Sequence, residues 1–162
     1  MSASKQAAVE PQTLDIGYVS LFVGLRLNEL VLDELLAAGF HGIRHAHGYV
    51  FQHLLGGAMA ISELGRHLGV TQQAASKTVA ELIGLGYLED ADAPDARVRR
   101  VALSERGHAA VHQARAIRAA YQRRLTKKHG PELARACRIL AAVLEDLGGA
   151  EAVRTRKVRA PR

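Results

Sequence analysis

The segment at residues 61–90 constrains the fold most, because it joins two short helical patterns through a tight turn. It reads ISELGRHLGVTQQAASKTVAELIGLGYLED, and a Gly-Val-Thr tripeptide separates the two patterns. Thr71 is a good N-cap for the second helix, and Gly86 suits the left-handed conformation that often closes a helix. The spacing predicts helices at residues 61–68 and 72–85, joined as a helix-turn-helix.

The second of these helices has one apolar face and one face of short or polar side chains. Ala75, Thr78, Val79 and Leu82 share the apolar face, which is predicted to pack on the first helix. A helix in the major groove of DNA must approach the base edges closely, and Gln, Ser and Lys side chains can bond to bases or phosphates there. The free N–H groups at its N-terminus can also bind a phosphate. The predicted DNA contacts of this helix are Thr71, Gln72, Gln73, Ser76 and Lys77.

A pair of short strands follows the helix-turn-helix directly. They are predicted at residues 87–90 and 98–103, on either side of the turn-rich sequence ADAPDA. Arginines cluster near the tip, as in a β-wing whose arginines enter the minor groove or hold phosphates. This wing favours a DNA-binding unit over the alternative, a helical hairpin with a merely solvated polar face. The predicted wing residues of the site are Asp95, Arg97 and Arg99.

The charge of the chain is unevenly distributed. Residues 1–96 have five Lys or Arg against eleven Asp or Glu, whereas residues 97–162 have seventeen against five. Clustered basic charge is typical of a protein that binds a polyanion, usually nucleic acid. The last residues, 149–162, are predicted to form an unpatterned basic tail, which either adds phosphate affinity or only increases solubility.

Long helical patterns flank this centre on both sides. Apolar residues at three-four spacing predict helices at residues 14–39, 43–55, 104–128 and 132–147. One chain of this length could hardly bury the apolar stripes of the outer helices, so two chains are predicted to share a helical interface. The predicted fold class is mainly α with a small β-wing, a winged helix-turn-helix plus a helical dimerisation region. Its predicted organisation is a disordered N-terminus (1–13), a helical dimerisation region (14–56 and 104–148), a winged helix-turn-helix (57–103) and the basic tail (149–162).

The run ISELGRHLGVTQQAASKTVAELIGLGYLED, with the later PDARVRRVALSERG, resembles the multiple antibiotic resistance regulator (MarR) family. The most specific pieces are DAR in the wing and the LSERG that follows it. The resemblance implies a homodimeric regulator, expected to be a repressor, that binds a pseudo-palindromic operator and responds to a small-molecule effector. It also implies that Arg97 reaches the minor groove and that Asp95 braces it. Two positions depart from the family pattern: Glu81 and Ala96 stand where basic residues are common.

Histidines are frequent, and four of the eight lie in the block HGIRHAHGYVFQH at residues 41–53. The resemblance implies an effector cleft near this block, where a small aromatic or phenolic compound would contact His41, Arg44, His45 and Tyr49. The alternative is a zinc-sensing regulator of the same fold, because closely spaced neutral imidazoles can chelate a transition metal. The candidate ligands would be His41, His45, His47, His108 and His112. No Cys joins them and no acid lies inside the block, so no resident cofactor is predicted.

Other classes of function find less support in the sequence. No nucleophile–base pair, phosphate-binding loop or pair of carboxylates in a plausible cleft indicates an enzyme. No apolar run reaches the roughly 18 residues of a membrane span, and no signal peptide is recognisable, so a cytoplasmic location is expected. A winged helix that binds protein instead of DNA is the remaining alternative, against which the arginines of the wing argue. The single Cys137 lies in the last apolar stripe and is expected to be buried and structural.

Overall fold

A computed structural model describes residues 9–92 and 97–154. The helices are α1 (Ile16–Ala37), α2 (His45–Leu54), α3 (Ile61–Leu68), α4 (Gln72–Gly84), α5 (Glu105–His129), α6 (Pro131–Asp146) and α7 (Ala150–Arg154). Three short strands, β1 (Met59–Ala60), β2 (Leu88–Ala91) and β3 (Arg100–Leu103), form one antiparallel sheet in the order β1-β3-β2. The predicted fold class is confirmed. None of the helices in these ranges is long and apolar enough to cross a membrane.

The helix-turn-helix forms α3 and α4, and its turn depends on a left-handed glycine. Gly69 adopts φ +71° after α3, and the Thr71 side chain then accepts a hydrogen bond of 3.2 Å from the backbone N–H of Ala74. Leu64 of α3 and Val79 of α4 have no exposed surface. Burying a side chain of this size stabilises a fold by about 1.5–3 kcal/mol, and both residues belong to one core that holds the two helices together.

The sheet contains one strand that the sequence did not predict. In β1, Met59 pairs with Val101 and Ala60 with Arg100, whose guanidinium donates to the carbonyl oxygen of Ala58. Two residues are too few to show the alternation of side chains by which a strand is recognised in a sequence. The strand β1 is defined only by its pairing with β3. The two predicted strands are present, although the second begins at Arg100, two residues later than predicted.

The passage from the wing into α5 explains the LSERG motif. The Ser104 hydroxyl accepts from the backbone N–H of Gly107 at 3.1 Å and donates to the carbonyl oxygen of Gly86 at 2.6 Å. A Cβ atom added to Gly107 would lie 2.1 Å from the carbonyl oxygen of Tyr87. Only glycine allows this approach of α5 to β2, so the motif fixes the position of the wing relative to the long helix.

The terminal helices pack less completely than the centre. The second half of α1 packs on α5 around Val31, Leu35 and Ile117, which are buried. The first half of α1 and most of α6 leave large apolar side chains exposed, namely Ile16, Tyr18, Val19, Leu21, Phe22, Val23, Leu25, Ile139, Leu140, Leu144 and Leu147. Cys137 is exposed too. The expectation that Cys137 is buried is wrong for the single chain, because none of the described residues covers it.

Both ends of the described chain hold short helices in segments predicted to be irregular. Residues 1–13 were predicted to be disordered, but Pro11–Thr13 is a 3-10 helix in which the Thr13 hydroxyl donates to the carbonyl oxygen of Glu10 at 2.8 Å. Residues 149–162 were predicted to form a tail, but Ala150–Arg154 is helix α7. Ala150 is buried, and Arg154 pairs with Glu145 of α6. Residues 1–8 and 155–162 lie outside the described ranges.

Candidate nucleic-acid interface and effector cavity

The exposed face of α4 carries most of the side chains that the sequence assigned to DNA. Gln72, Gln73 and Lys77 are exposed and Ser76 is half-buried, whereas Ala75, Val79 and Leu82 on the other side are buried. Thr71 is exposed, but its hydroxyl caps the helix. Four of the five predicted residues therefore have polar groups outside the core, on a helix whose N-terminus carries the partial positive charge that favours a phosphate.

Glu81 lies one turn beyond Lys77 on α4, and it faces another helix instead of the predicted DNA surface. Its Oε2 atom is 2.5 Å from the Arg44 guanidinium at the start of α2, and its Oε1 atom is 3.9 Å from Nε2 of His47. The His47 side chain is almost completely buried. Burial lowers the pKa of His47, the positive charge of Arg44 lowers it further, and the carboxylate of Glu81 acts in the opposite direction.

The three arginines of the described wing have different surroundings. Arg99 forms a two-point contact with Asp90 of β2, with Nε 2.7 Å from Oδ1 and Nη2 3.2 Å from Oδ2. This hydrogen bond from Arg99, together with its charge, lowers the pKa of Asp90. Arg97 is an exposed turn residue beside it, and Arg100 is tied to the backbone before β1. The acidic partner of Arg99 is therefore Asp90, a residue that the sequence analysis did not single out. Asp95, predicted to brace Arg97, lies outside the described residues.

A cavity of about 150 Å³ lies where α1, α2 and α5 meet. Apolar side chains of all three helices line it, and polar and cationic groups surround its mouth. Arg44 and His45 from the predicted effector site line it, and Tyr49 lines an adjoining groove, where its ring stands edge-on to that of His45 at 5.5 Å. His41 lines neither space; it is exposed, and its carbonyl oxygen accepts from the Tyr87 hydroxyl.

Three polar residues of the cavity were missed by the sequence analysis. Asn28 of α1 bonds to Nε2 of His45 at 2.8 Å, and the Arg118 guanidinium of α5 donates to the side-chain oxygen of Asn28. Arg115 joins them one turn earlier on α5. Each of these residues also looks like an ordinary solvent-facing position of a helix, so only the meeting of α1, α2 and α5 gives them a common site.

The histidines considered as metal ligands do not converge. His47 is buried against Arg44 and Glu81, His45 bonds to Asn28, and His108 and His112 are exposed on α5. Within residues 9–92 and 97–154, no group of three or more His, Cys, Asp or Glu side chains is placed to hold a metal ion. A different pair of histidines does meet: the rings of His53 and His67 stack with centroids 5.1 Å apart. Burial and the neighbouring His67 lower the pKa of His53.

Comparison with known proteins agrees with this geometry. The family model for the MarR family matches residues 41–98, which include α2 to α4, β1 and β2. Wild-type MarR from E. coli is 23% identical with a TM-score of 0.61, over 81% of this chain and 98% of that one. The repressor CouR bound to a 23-mer DNA duplex is 21% identical with a TM-score of 0.61, over 87% and 99%. YusO from Bacillus subtilis is 20% identical with a TM-score of 0.59, over 82% and 99%. No curated protein matches the chain.

The fold and its central segment define a winged helix-turn-helix protein with long flanking helices. Residues 41–98 match the model of the MarR family of transcriptional regulators, as the sequence resemblance predicted. The solved chains share the architecture over nearly their whole length, so the likeness extends beyond the matched segment to the flanking helices. The match to a family of regulators agrees with the prediction of a regulator and not an enzyme.

Proposed function

We propose that the protein is a homodimeric DNA-binding transcriptional repressor whose operator affinity is changed by a small aromatic effector. The observation that carries the DNA-binding part is the exposed polar face of α4 beside the wing. Gln73 and Lys77 lie one turn apart on that face, and Arg97 is exposed on the wing that follows. Because its partner would be genomic DNA, the proposal places the protein in the cytoplasm.

The apolar faces of the terminal helices support the homodimer. Monomeric soluble proteins rarely expose a large contiguous apolar patch, yet Phe22 of α1 is 54% exposed and Ile139 and Leu140 of α6 are 51% and 40% exposed. A second copy of the chain offers the same helices, so a two-fold interface could cover these faces on both copies. Two recognition helices would then reach successive major grooves of a pseudo-palindrome, about one helical turn apart.

The chemistry of the cavity supports an anionic aromatic effector. Part of its wall is formed by Val31, Leu35, Ile43, Phe51 and Val111, and a volume of about 150 Å³ is large enough for a benzene-sized ring. Its polar groups are cationic or neutral, since Arg44, His45, Arg115 and Arg118 line it and no Asp or Glu is among the described lining residues. A ring that carries a carboxylate matches both parts of the cavity.

Selection of genomic DNA fragments with the purified protein tests the proposal. We expect enrichment of an inverted repeat and an affinity that falls steeply with salt, because each neutralised phosphate releases counterions. Addition of aromatic acids should reduce recovery of the repeat, whereas zinc should not. If salt-sensitive binding occurs without any enriched sequence, the protein is not an operator-specific repressor, and an architectural or protein-binding role would replace this proposal.

A further inference from the structure

The loop between α1 and α2 touches the cavity on one side and the recognition helix on the other. Ile43 and Arg44 line the cavity. Gly42, with φ +76°, lies so close to the end of α4 that an added Cβ would be 2.8 Å from a methyl carbon of Leu85. There is little space between this loop and the end of α4, so a change on the cavity side has a short physical route to that helix.

Arg44 is the polar part of this route. Its guanidinium lies 2.5 Å from Glu81 of α4 and 3.1 Å from Nε2 of His47. The Arg44 side chain is 63% exposed and that of Glu81 is 37% exposed. Exposed ion pairs usually contribute little to stability, so this one fixes an orientation without adding much to the free energy of unfolding. Such a pair can be exchanged for another at little cost.

A second acceptor for Arg44 would be a carboxylate in the cavity. Arg44 lines this space together with Arg115 and Arg118, and the carboxylate of Glu81 is what now balances the Arg44 charge. A ligand shifts a conformational equilibrium only if it interacts differently with the two states. An anion that attracts the Arg44 guanidinium provides such a difference, because it competes with a group on the recognition helix itself.

We propose that Arg44 changes carboxylate partners: it binds Glu81 in the free protein and the carboxylate of an aromatic acid in the liganded protein. The exchange releases the constraint that Glu81 places on α4, one turn from Lys77. It rests on the proposed function, which names the ligand class, and it adds the residue pair that transmits binding. Glu81 thus acts as a positioning residue that touches neither the ligand nor the predicted DNA surface.

The test uses the full chain, benzoate as the probe and benzamide as its neutral counterpart. Glu81→Gln removes the charge of the competing carboxylate. Glu63→Gln is the matched control, because Glu63 is 41% exposed and lies 3.6 Å from His67 on the same helix. Calorimetry gives the benzoate affinity without DNA, and fluorescence anisotropy gives the affinity for the selected operator with and without benzoate.

We expect benzoate to weaken operator binding of the wild-type protein at least ~5-fold, at the lower end of usual allosteric couplings, and benzamide to leave it unchanged. Glu81→Gln should bind benzoate more tightly and should lose most of the benzoate effect on DNA, while Glu63→Gln should match the wild type. Equal benzoate affinity and an undiminished benzoate effect in Glu81→Gln would overturn the exchange, as would equal potency of benzamide.

The same measurements separate this inference from the proposed function. If the wild-type protein binds no DNA, the repressor proposal fails, and tighter benzoate binding by Glu81→Gln still supports the exchange. If the wild-type protein binds DNA but not benzoate, the exchange is overturned and the DNA-binding proposal stands.

Discussion

The winged-helix centre and the terminal helices have similar apolar patterns but bury them to different extents. Leu64, Val79 and Tyr87 of the centre have no exposed surface, whereas Phe22 of α1 and Leu140 of α6 are 54% and 40% exposed. The centre folds α2, α3, α4, the sheet and the start of α5 around one core within a single chain. Within the described ranges, neither the first half of α1 nor most of α6 packs around such a core. The difference indicates that the centre is completed by intramolecular packing and that the ends are not, as expected for the proposed homodimer.

The comparison is tested most strongly by placing a charge on the exposed face of α6. Leu140→Asp would bury an unpaired carboxylate in the proposed homodimer, which costs about 3–5 kcal/mol. We expect monomers with an intact helical circular dichroism spectrum, and sedimentation velocity measures the assembly. Ala142→Asp is the control, since Ala142 is exposed on another side of α6. A stable Leu140→Asp dimer would show that this face is not the interface.

The stability of the winged-helix centre should fall when a side chain is enlarged at a tightly packed position. Gly107→Ala places a Cβ 2.1 Å from the Tyr87 carbonyl oxygen and 3.1 Å from a methyl carbon of Leu103. Overpacking of this kind costs about 1–3 kcal/mol, and urea denaturation measures the loss. Gly84→Ala near the end of α4 meets nothing within 4 Å, so it should be neutral or slightly stabilising. Equal stabilities of the two variants would contradict the close approach of α5 to β2.

A substitution in the wing should change the affinity for DNA without changing the stability of the core. Arg97→Ala should weaken operator binding by about 1–3 kcal/mol if Arg97 makes a specific groove contact. Its unfolding free energy should change little, because Arg97 is exposed. Anisotropy titrations at fixed salt measure the affinity, with Arg26→Ala in α1 as a control far along the chain. Unchanged affinity of Arg97→Ala would remove this residue from the interface.

The smallest expected effect is a pH dependence of the unfolding free energy, caused by two histidines of the winged-helix centre. The pKa values of His47 and His53 are both lowered from 6.5, chiefly by burial. As the pH falls below about 6.5, the unfolded chain binds protons at these positions before the native chain does, so the unfolding free energy decreases. The decrease ends once the pH is below the native pKa values, and above 6.5 these two groups contribute no slope.

Urea denaturation between pH 5 and 8 measures this slope. His53→Asn should reduce it, whereas His108→Asn, at an exposed position of α5, should not. An identical slope in both variants would mean that His53 is not one of the groups responsible.

Much of the centre could be predicted because its signals are local. Thr71 and Gly86 mark the ends of α4 by their own conformational preferences, and the helix-turn-helix follows from the spacing of small and apolar residues. The polar face of α4 follows from the same periodicity, so its candidate DNA contacts could be named in advance. β1 could not be predicted, because a strand of two residues exists only through its pairing with β3.

The cavity was less predictable than the interface. Arg44 and His45 were named because they lie in a histidine-rich block, but Asn28 and Arg118 come from distant parts of the chain and carry no local signal. Glu81 shows the same limit. The sequence marked it as a departure from the family pattern, and the structure supplies its partner, Arg44, 37 residues away.

The sequence by itself determined helices α1 to α6, the turn, the wing and the polar face of α4, because these depend on residue preferences and on periodicity along one segment. The tertiary structure decided which distant side chains share the cavity, that Asp90 holds Arg99 and that Arg44 joins the cavity to the recognition helix. These contacts depend on the angles at which whole elements pack. Such angles are set by the summed shape of many buried side chains, which no short stretch of residues contains.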